Sequence, residues 1–327
     1  MDFETAALLR RGTVIPAHPL ALDERRTLDE DRQRALTRYY LEAGAGGLAV
    51  GVHTTQFEIR EHGLYRPVLE LAADEMTSQR PFVRVAGVAG PTRQAVAEAE
   101  VARELGYDAV LVSPGGLPHL TTDDLLDRSA AIGEVLPTIG FYLQEAVGGR
   151  YLPRDYWRRL TDQPSTVAVK AAPFDRYRTL ELVQGVADSD RGNEVALYTG
   201  NDDNIISDLL TPFHVRGGVR RFVGGLLGHW AVWTRSAVQI LDDAHAAVAG
   251  DHAARARVEA LNAMCVDANA AVFDVRNDFQ GVIAGVHEVL RRDGILKGIW
   301  CLDPGETLSP GQAEELTRVQ TAYPGLL

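Results

Sequence analysis

A chain of 327 residues with 46% hydrophobic content can bury a large core, and α/β barrels of this length often form one domain. Its formal net charge of −12 argues against nucleic acid or an anionic membrane as the main partner, because both need basic patches. The two cysteines, Cys265 and Cys301, are far apart and have no partners at metal-ligand spacing, so neither a disulfide framework nor a zinc knuckle is indicated.

The first residues, Met1 to Arg11, carry acids and lack an apolar leader core, and no later stretch is apolar for long enough to span a bilayer. A cytoplasmic protein with a small-molecule partner is expected, with neither nucleic acid nor membrane as partner and no cofactor.

In chain order, eight short apolar runs read as strands. They are Thr13-Val14-Ile15, Gly47-Leu48-Ala49-Val50, Phe82-Val83-Arg84-Val85-Ala86, Ala109-Val110-Leu111-Val112, Ile139-Gly140-Phe141-Tyr142, Thr166-Val167-Ala168-Val169, Val195-Ala196-Leu197-Tyr198 and Arg221-Phe222-Val223-Gly224. Their spacing of roughly 26 to 35 residues is the length of one βα unit, and uninterrupted alternation argues for a parallel sheet. Between them, Thr92 to Leu105 sets Ala95, Val96, Ala99 and Ala102 at helical spacing, with Thr92 as N-cap and Gly106 as the stop. Thr121-Thr122-Asp123-Asp124 opens another helix with acids in its first turn.

Beyond about Gly250 the strand signal ends and helical patterns run from Ala253 to Val275 and from Gln280 to Arg292. Ser309-Pro310-Gly311-Gln312 then combines an N-cap serine, a proline at the first helical position and a glutamine at the third. The expected fold is an α/β protein, a (β/α)8 TIM barrel over residues 1–249 with a C-terminal helical extension over 250–327 packed on it.

In such barrels chemistry gathers at the C-terminal ends of the strands. Those ends are polar here: His18, His53-Thr54-Thr55, Ser113, Tyr142 with Gln144-Glu145, Lys170, Gly200-Asn201-Asp202-Asp203, and Gly225 to His229. Lys170 is one of two lysines in a chain whose other side-chain cations are arginines, and it ends an apolar run. A desolvated lysine loses its proton more readily and attacks carbonyl carbon, chemistry closed to arginine. A buried stem with a snorkelling head is the plainer alternative.

Neighbouring strands five and six should project Tyr142 and Lys170 into one mouth, where a phenol can relay protons for imine formation. A tyrosine merely filling the barrel top is the alternative. Thr54 and Thr55 offer hydroxyls and backbone N–H groups to a substrate carboxylate, or cap the next segment. His53, Gly200, Gly225 and Leu226 are expected to border the substrate, the glycines making room rather than holding phosphate. Arg150 could pair with a second carboxylate or sit in solvent.

At this point the chain resembles the dihydrodipicolinate synthase and N-acetylneuraminate lyase family of class I, pyruvate-type aldolases, over nearly its whole length. Gly12-Thr13-Val14-Ile15-Pro16 is similar to the family's first strand, and Thr54-Thr55 with Glu58 to its Thr-Thr-Gly-Glu stretch with one residue added. Gly87-Val88-Ala89-Gly90 resembles its third-strand turn, Tyr142 its fifth-strand tyrosine, Val167 to Ala172 its lysine motif, and Leu308-Ser309-Pro310 part of its C-terminal extension. The resemblance implies a Schiff-base lysine at Lys170, a proton-relay tyrosine at Tyr142, a carboxylate site at Thr54-Thr55 and a homo-oligomer, a dimer or tetramer.

Two departures qualify it. Leu143-Gln144-Glu145 follows Tyr142 where the family usually has an Asn-x-Pro turn, and Gly115-Gly116 follows Pro114 where lysine-pathway synthases place tyrosines. A divergent lyase, hydratase-aldolase or keto-sugar-acid dehydratase acting on a 2-oxo acid such as pyruvate fits better than a true synthase. Two alternatives stay open: a metal-dependent barrel enzyme using His18, His53 and His229 with Asp202 or Asp203, and a barrel that binds a small acid without turning it over.

Overall fold

The computed structural model describes residues 1–77, 80–324 and 326. Its centre is a sheet of eight parallel strands: β1 (Val14–Pro16), β2 (Gly47–Val50), β3 (Val83–Val88), β4 (Ala109–Val112), β5 (Thr138–Leu143), β6 (Thr166–Ala172), β7 (Ala196–Thr199) and a last strand at Phe222–Leu227. An antiparallel hairpin that the apolar pattern did not announce, β8 (Phe213–Val215) with β9 (Gly218–Arg220), precedes that last strand, which is therefore β10. The order β1-β10-β7-β6-β5-β4-β3-β2 closes through a parallel bridge between Ala17 and Ala49, where the His18 N–H donates to the Ala49 carbonyl at 2.8 Å. The eight expected strands are all present, with helices between them, so the barrel fold is as the alternation predicted.

Side-chain alternation divides the apolar residues into two layers. Ile139, Phe141 and Leu143 of β5 join Ala168 and Ala172 of β6 inside the barrel, while Tyr142, Val169 and Ala171 pack outward against the helices. The helix Phe3–Arg11 brings Leu9 to the inner cluster, and Tyr198 donates to the Leu9 carbonyl at 2.9 Å.

Helix ends differ from expectation in detail. Thr92 is the first helical residue and extended Pro91 the cap, while Gly106 stops the helix with φ +77° as expected. Thr121 and Asp124 form a reciprocal capping box. The pattern from Ala253 to Val275 divides into His252–Ala260 and Asn262–Val272, and the next helix starts at Val282. Ser309 is not an N-cap: Gly311 in left-handed backbone precedes the helix Gln312–Ala322, and Gln312 Oε1 instead accepts the Ser309 N–H at 3.1 Å. These C-terminal helices share the outer apolar cluster of the barrel through Val272, Val286 and Leu316. Among the described residues no helix is long and apolar enough to cross a membrane.

One ion pair ties the ends of β2 and β3 to the helix Thr92–Glu104. Arg60 meets Glu98 in a fork, Nε to Oε1 at 2.9 Å and Nη2 to Oε2 at 3.0 Å, and Nη2 also donates to the carbonyls of Gly51 and Gly87. With side chains only 11% and 9% exposed, both charges are largely withdrawn from water. We expect Glu98→Ala to cost about 3–5 kcal/mol, seen as a lower urea midpoint, because it strands the arginine. An Arg60→Met, Glu98→Leu double variant should recover part of that loss.

Candidate active site

Lys170 lies near the C-terminal end of β6, where strand alternation turns it inward. Its partner in register is Phe141, and the ammonium nitrogen sits 4.2 Å from the centre of that ring. Space for the lysine stem exists because residue 200 has no side chain: a Cβ on Gly200 would lie 2.5 Å from Lys170 Cε. Burial lowers the Lys170 pKa from its ordinary 10.5, and the negative charge of Asp202 partly opposes that shift.

Asp202 follows β7 and is 8% exposed. Burial raises its carboxyl pKa, while the His229 N–H and the Lys170 charge pull the other way. The His229 N–H donates to Asp202 Oδ1 at 3.1 Å, and Asn269 Nδ2 donates to the Asp202 carbonyl at 2.5 Å. Asn269 Oδ1 lies 2.5 Å from His229 Nδ1, and since the amide nitrogen is committed to Asp202, the imidazole Nδ1–H is the donor there. A residue of the C-terminal extension thus holds the loops after β7 and β10.

These groups open on a cavity of about 80 Å³, room for several water-sized groups. Lys170, Asp202, His53, Thr54, Gln144 and Gly200 meet there with Phe141, Leu143, Val147 and Phe174, and the extension adds Phe273, Phe279 and Val282. Burial, with the Lys170 charge as a lesser cause, pushes the His53 imidazole down to about 4, so it is neutral at pH 7.

Of the expected site residues, the fold brings Lys170, His53, Thr54 and Gly200 together. It takes Tyr142 away. That ring packs 5.2 Å from Trp157 in the helical layer, its hydroxyl accepting the Leu152 N–H at 3.4 Å, because alternation along β5 turns it outward; an extra residue in β6 between the Thr138–Thr166 and Ile139–Ala168 pairs sets Lys170 opposite Phe141 instead. Thr55 turns inward to the fold, donating to the His18 carbonyl at 2.6 Å and accepting the N–H groups of Gly51 and Val52. Gly225 faces Trp230, and Leu226 is packed in the inner cluster. Arg150 does not reach the cavity: its guanidinium binds the carbonyls of Leu117 and Leu120.

The three strand-end histidines do not converge as ligands. His18 is fully buried against the Pro19 carbonyl and the Thr37 hydroxyl, and His229 is engaged with Asn269. Among the described residues no group of three or more His, Cys, Asp or Glu is placed to hold a metal ion.

The residues missed were Phe141, Phe174, Phe273, Phe279 and Val282. Asp202 had been considered only as a metal ligand. Phe141 was one step from the expected tyrosine, and only the register across β5 and β6 distinguishes the two.

The model of the family described as "Dihydrodipicolinate synthetase family" matches residues 11–321. An N-acetylneuraminate lyase of Citrobacter koseri is 27% identical over 201 residues, 60% of this chain and 65% of that one. A probable 5-dehydro-4-deoxyglucarate dehydratase 2 of Streptomyces coelicolor is 30% identical over 198 residues, 56% of this chain and 58% of that one. The chain therefore spans less than two thirds of the length of these relatives. A crystal structure of dihydrodipicolinate synthase from Oceanobacillus iheyensis superposes with a TM-score of 0.80, covering 98% of this chain and 99% of that one at 17% identity, which bears on the fold alone.

Because the chain has two lysines, ¹³C-dimethylation followed by NMR can watch Lys170 titrate. Its signal should change well below the ordinary lysine value of 10.5. Asp202→Asn should move that midpoint further down, since it removes the charge that favours the ammonium. An unchanged midpoint would show that the two groups do not sense each other.

Proposed function

The chain belongs to the dihydrodipicolinate synthetase family, and from that premise we propose that it is an imine-forming lyase that cleaves a 2-oxo acid and releases pyruvate or a pyruvyl product. The observation that carries this reading is a lysine buried beside an aspartate in a cavity at the C-terminal end of the barrel, its ammonium form disfavoured by desolvation.

In the proposed reaction the Lys170 amine attacks the C2 carbonyl carbon, and loss of water from the carbinolamine gives a protonated imine. Asp202 supplies and collects the protons of these steps. A base then removes the proton of the C4 hydroxyl, the C3–C4 bond breaks, and its electron pair passes to the imine as an enamine while an aldehyde leaves. Protonation at C3 and hydrolysis return the free amine and release the 2-oxo acid product. Thr54, whose hydroxyl donates to the His18 carbonyl at 3.3 Å, and neutral His53 border the position of the carboxylate.

Asp202 takes the proton-carrying role in this scheme because Phe141, which faces the lysine, has no proton to give. We further infer a cytoplasmic homo-oligomer. The buried free thiols of Cys265 and Cys301 are consistent with a reducing compartment, and the homo-oligomer rests on the family resemblance.

Borohydride with pyruvate should leave a reduced adduct on the Lys170 peptide by mass spectrometry, and none in Lys170→Met. An unmodified wild-type Lys170 would overturn the reading. Asp202→Asn should still form the adduct but lower kcat by about 10²–10⁴-fold. Tyr142→Phe should stay within a few-fold of wild type in kcat and cost at most about 1 kcal/mol of stability, the worth of one weak hydrogen bond.

A further inference from the structure

The walls of the cavity are more specific than its reactive groups. Beyond the carbonyl-binding end, the space is bounded by Phe141, Leu143, Phe174, Phe273, Phe279 and Val282. Among the described residues no arginine lines it, and Lys170 and neutral His53 are its basic side chains. Arg150 is held by backbone carbonyls, and Arg178 pairs with Glu145 outside the cavity. Among the described residues, Gln144 is the one amide on the wall.

The roof carries a second signal. Phe174 and Phe279 both have left-handed backbone, with φ of +52° and +65°, a conformation rare for bulky side chains. Hydrogen bonds hold each in place: the Phe174 N–H donates to Asn201 Oδ1, and the Phe279 N–H to the Asp274 carbonyl, both at 3.1 Å. The two rings meet edge to face across the mouth, centroids 5.9 Å apart at 75°. Strained backbone that the surroundings over-determine is found where a side chain must be aimed.

From this wall and roof, and resting on the imine-forming reading above, we propose that the fragment joined to the pyruvyl unit is apolar, an alkyl or aryl group rather than a polyol or a chain ending in carboxylate. A polyol would bury hydroxyls on a wall where, apart from His53 and Thr54 at the carboxylate end and the reactive groups, Gln144 is the polar side chain among the described residues. A second carboxylate would find no basic partner beyond the lysine already engaged with the pyruvyl unit, and would face Asp202. An aryl or alkyl group instead adds to the ring cluster and displaces water from an apolar surface.

The experiment is retro-aldol cleavage of three 4-hydroxy-2-oxo acids: 4-hydroxy-2-oxo-4-phenylbutanoate, 2-keto-3-deoxygluconate and 4-hydroxy-2-oxoglutarate. Aldehyde release is measured for each, alongside borohydride trapping with pyruvate. The phenyl compound should exceed the other two in kcat/KM by about tenfold or more. Phe279→Asn, which tolerates left-handed backbone, should narrow that ratio mainly by raising KM for the phenyl compound.

Equal or better cleavage of the polyol or the diacid, or cleavage of none, with pyruvate still trapped on Lys170 would overturn this inference and leave the imine reading standing. An unchanged ratio in Phe279→Asn would overturn the assignment of selectivity to the roof. If pyruvate itself left no adduct on Lys170, both readings would fall.

Discussion

The mouth of the barrel is organised by the need to keep one ammonium out of water. Desolvation penalises the charged form of Lys170, and the same burial penalises the charged form of Asp202, so the shifts run in opposite directions and bring the two groups toward each other. Burial thus narrows the gap between the ion pair and the neutral pair, which in the proposed reaction favours the free amine. This balance depends on steric facts as well as electrostatics. Without the bare backbone at Gly200 the stem would have no room, and without the inward parity of β6 the nitrogen would point at the helices.

The C-terminal helices belong to this balance. Asn269 anchors both the Asp202 backbone and the His229 ring, and the His229 N–H holds the Asp202 carboxylate, so the acid is placed by a part of the chain outside the barrel. The same segment supplies Phe273, Phe279 and Val282 to the cavity. Polar anchoring and apolar cover therefore come from one element, and loosening its packing would wet the lysine and misplace the aspartate together. Nε2 of His229, buried and without a hydrogen-bond partner among the described residues, fits a ring retained for its Nδ1 and backbone contacts.

The sequence carried the periodic part of this architecture and little of the register. Eight apolar runs at βα spacing were enough to locate every barrel strand, because parallel strands buried on both faces must be apolar. Lys170 was legible for the same reason, as the one lysine ending such a run. The parity of β5 against β6 was not legible, because the added residue near Val167 shifts the pairing by one and a one-residue shift exchanges the two faces. That single step exchanges Tyr142 for Phe141. Arg150, Thr55 and Gly225 lie off the cavity wall for another reason: polar or small residues at strand ends also serve loop carbonyls, caps and close packing, and composition does not separate these roles from substrate binding. The hairpin β8–β9 escaped because its outer strand is mostly exposed and has no apolar run.

The exchange of phenylalanine for a phenol opposite the lysine is consistent with the chemistry of the wall. Burial moves a carboxyl up from 3.8 toward the working range, but moves a phenol from 10.0 further away from it, as it does for Tyr142. Burial in an aromatic setting thus tunes an aspartate for proton transfer and detunes a tyrosine. In the proposed reaction the apolar surface that would select an alkyl or aryl fragment is the same surface that brings Asp202 and Lys170 to useful pKa values. The site then needs no hydroxyl on the β5 wall, and substituting one there would trade apolar contact for a donor whose proton is harder to move.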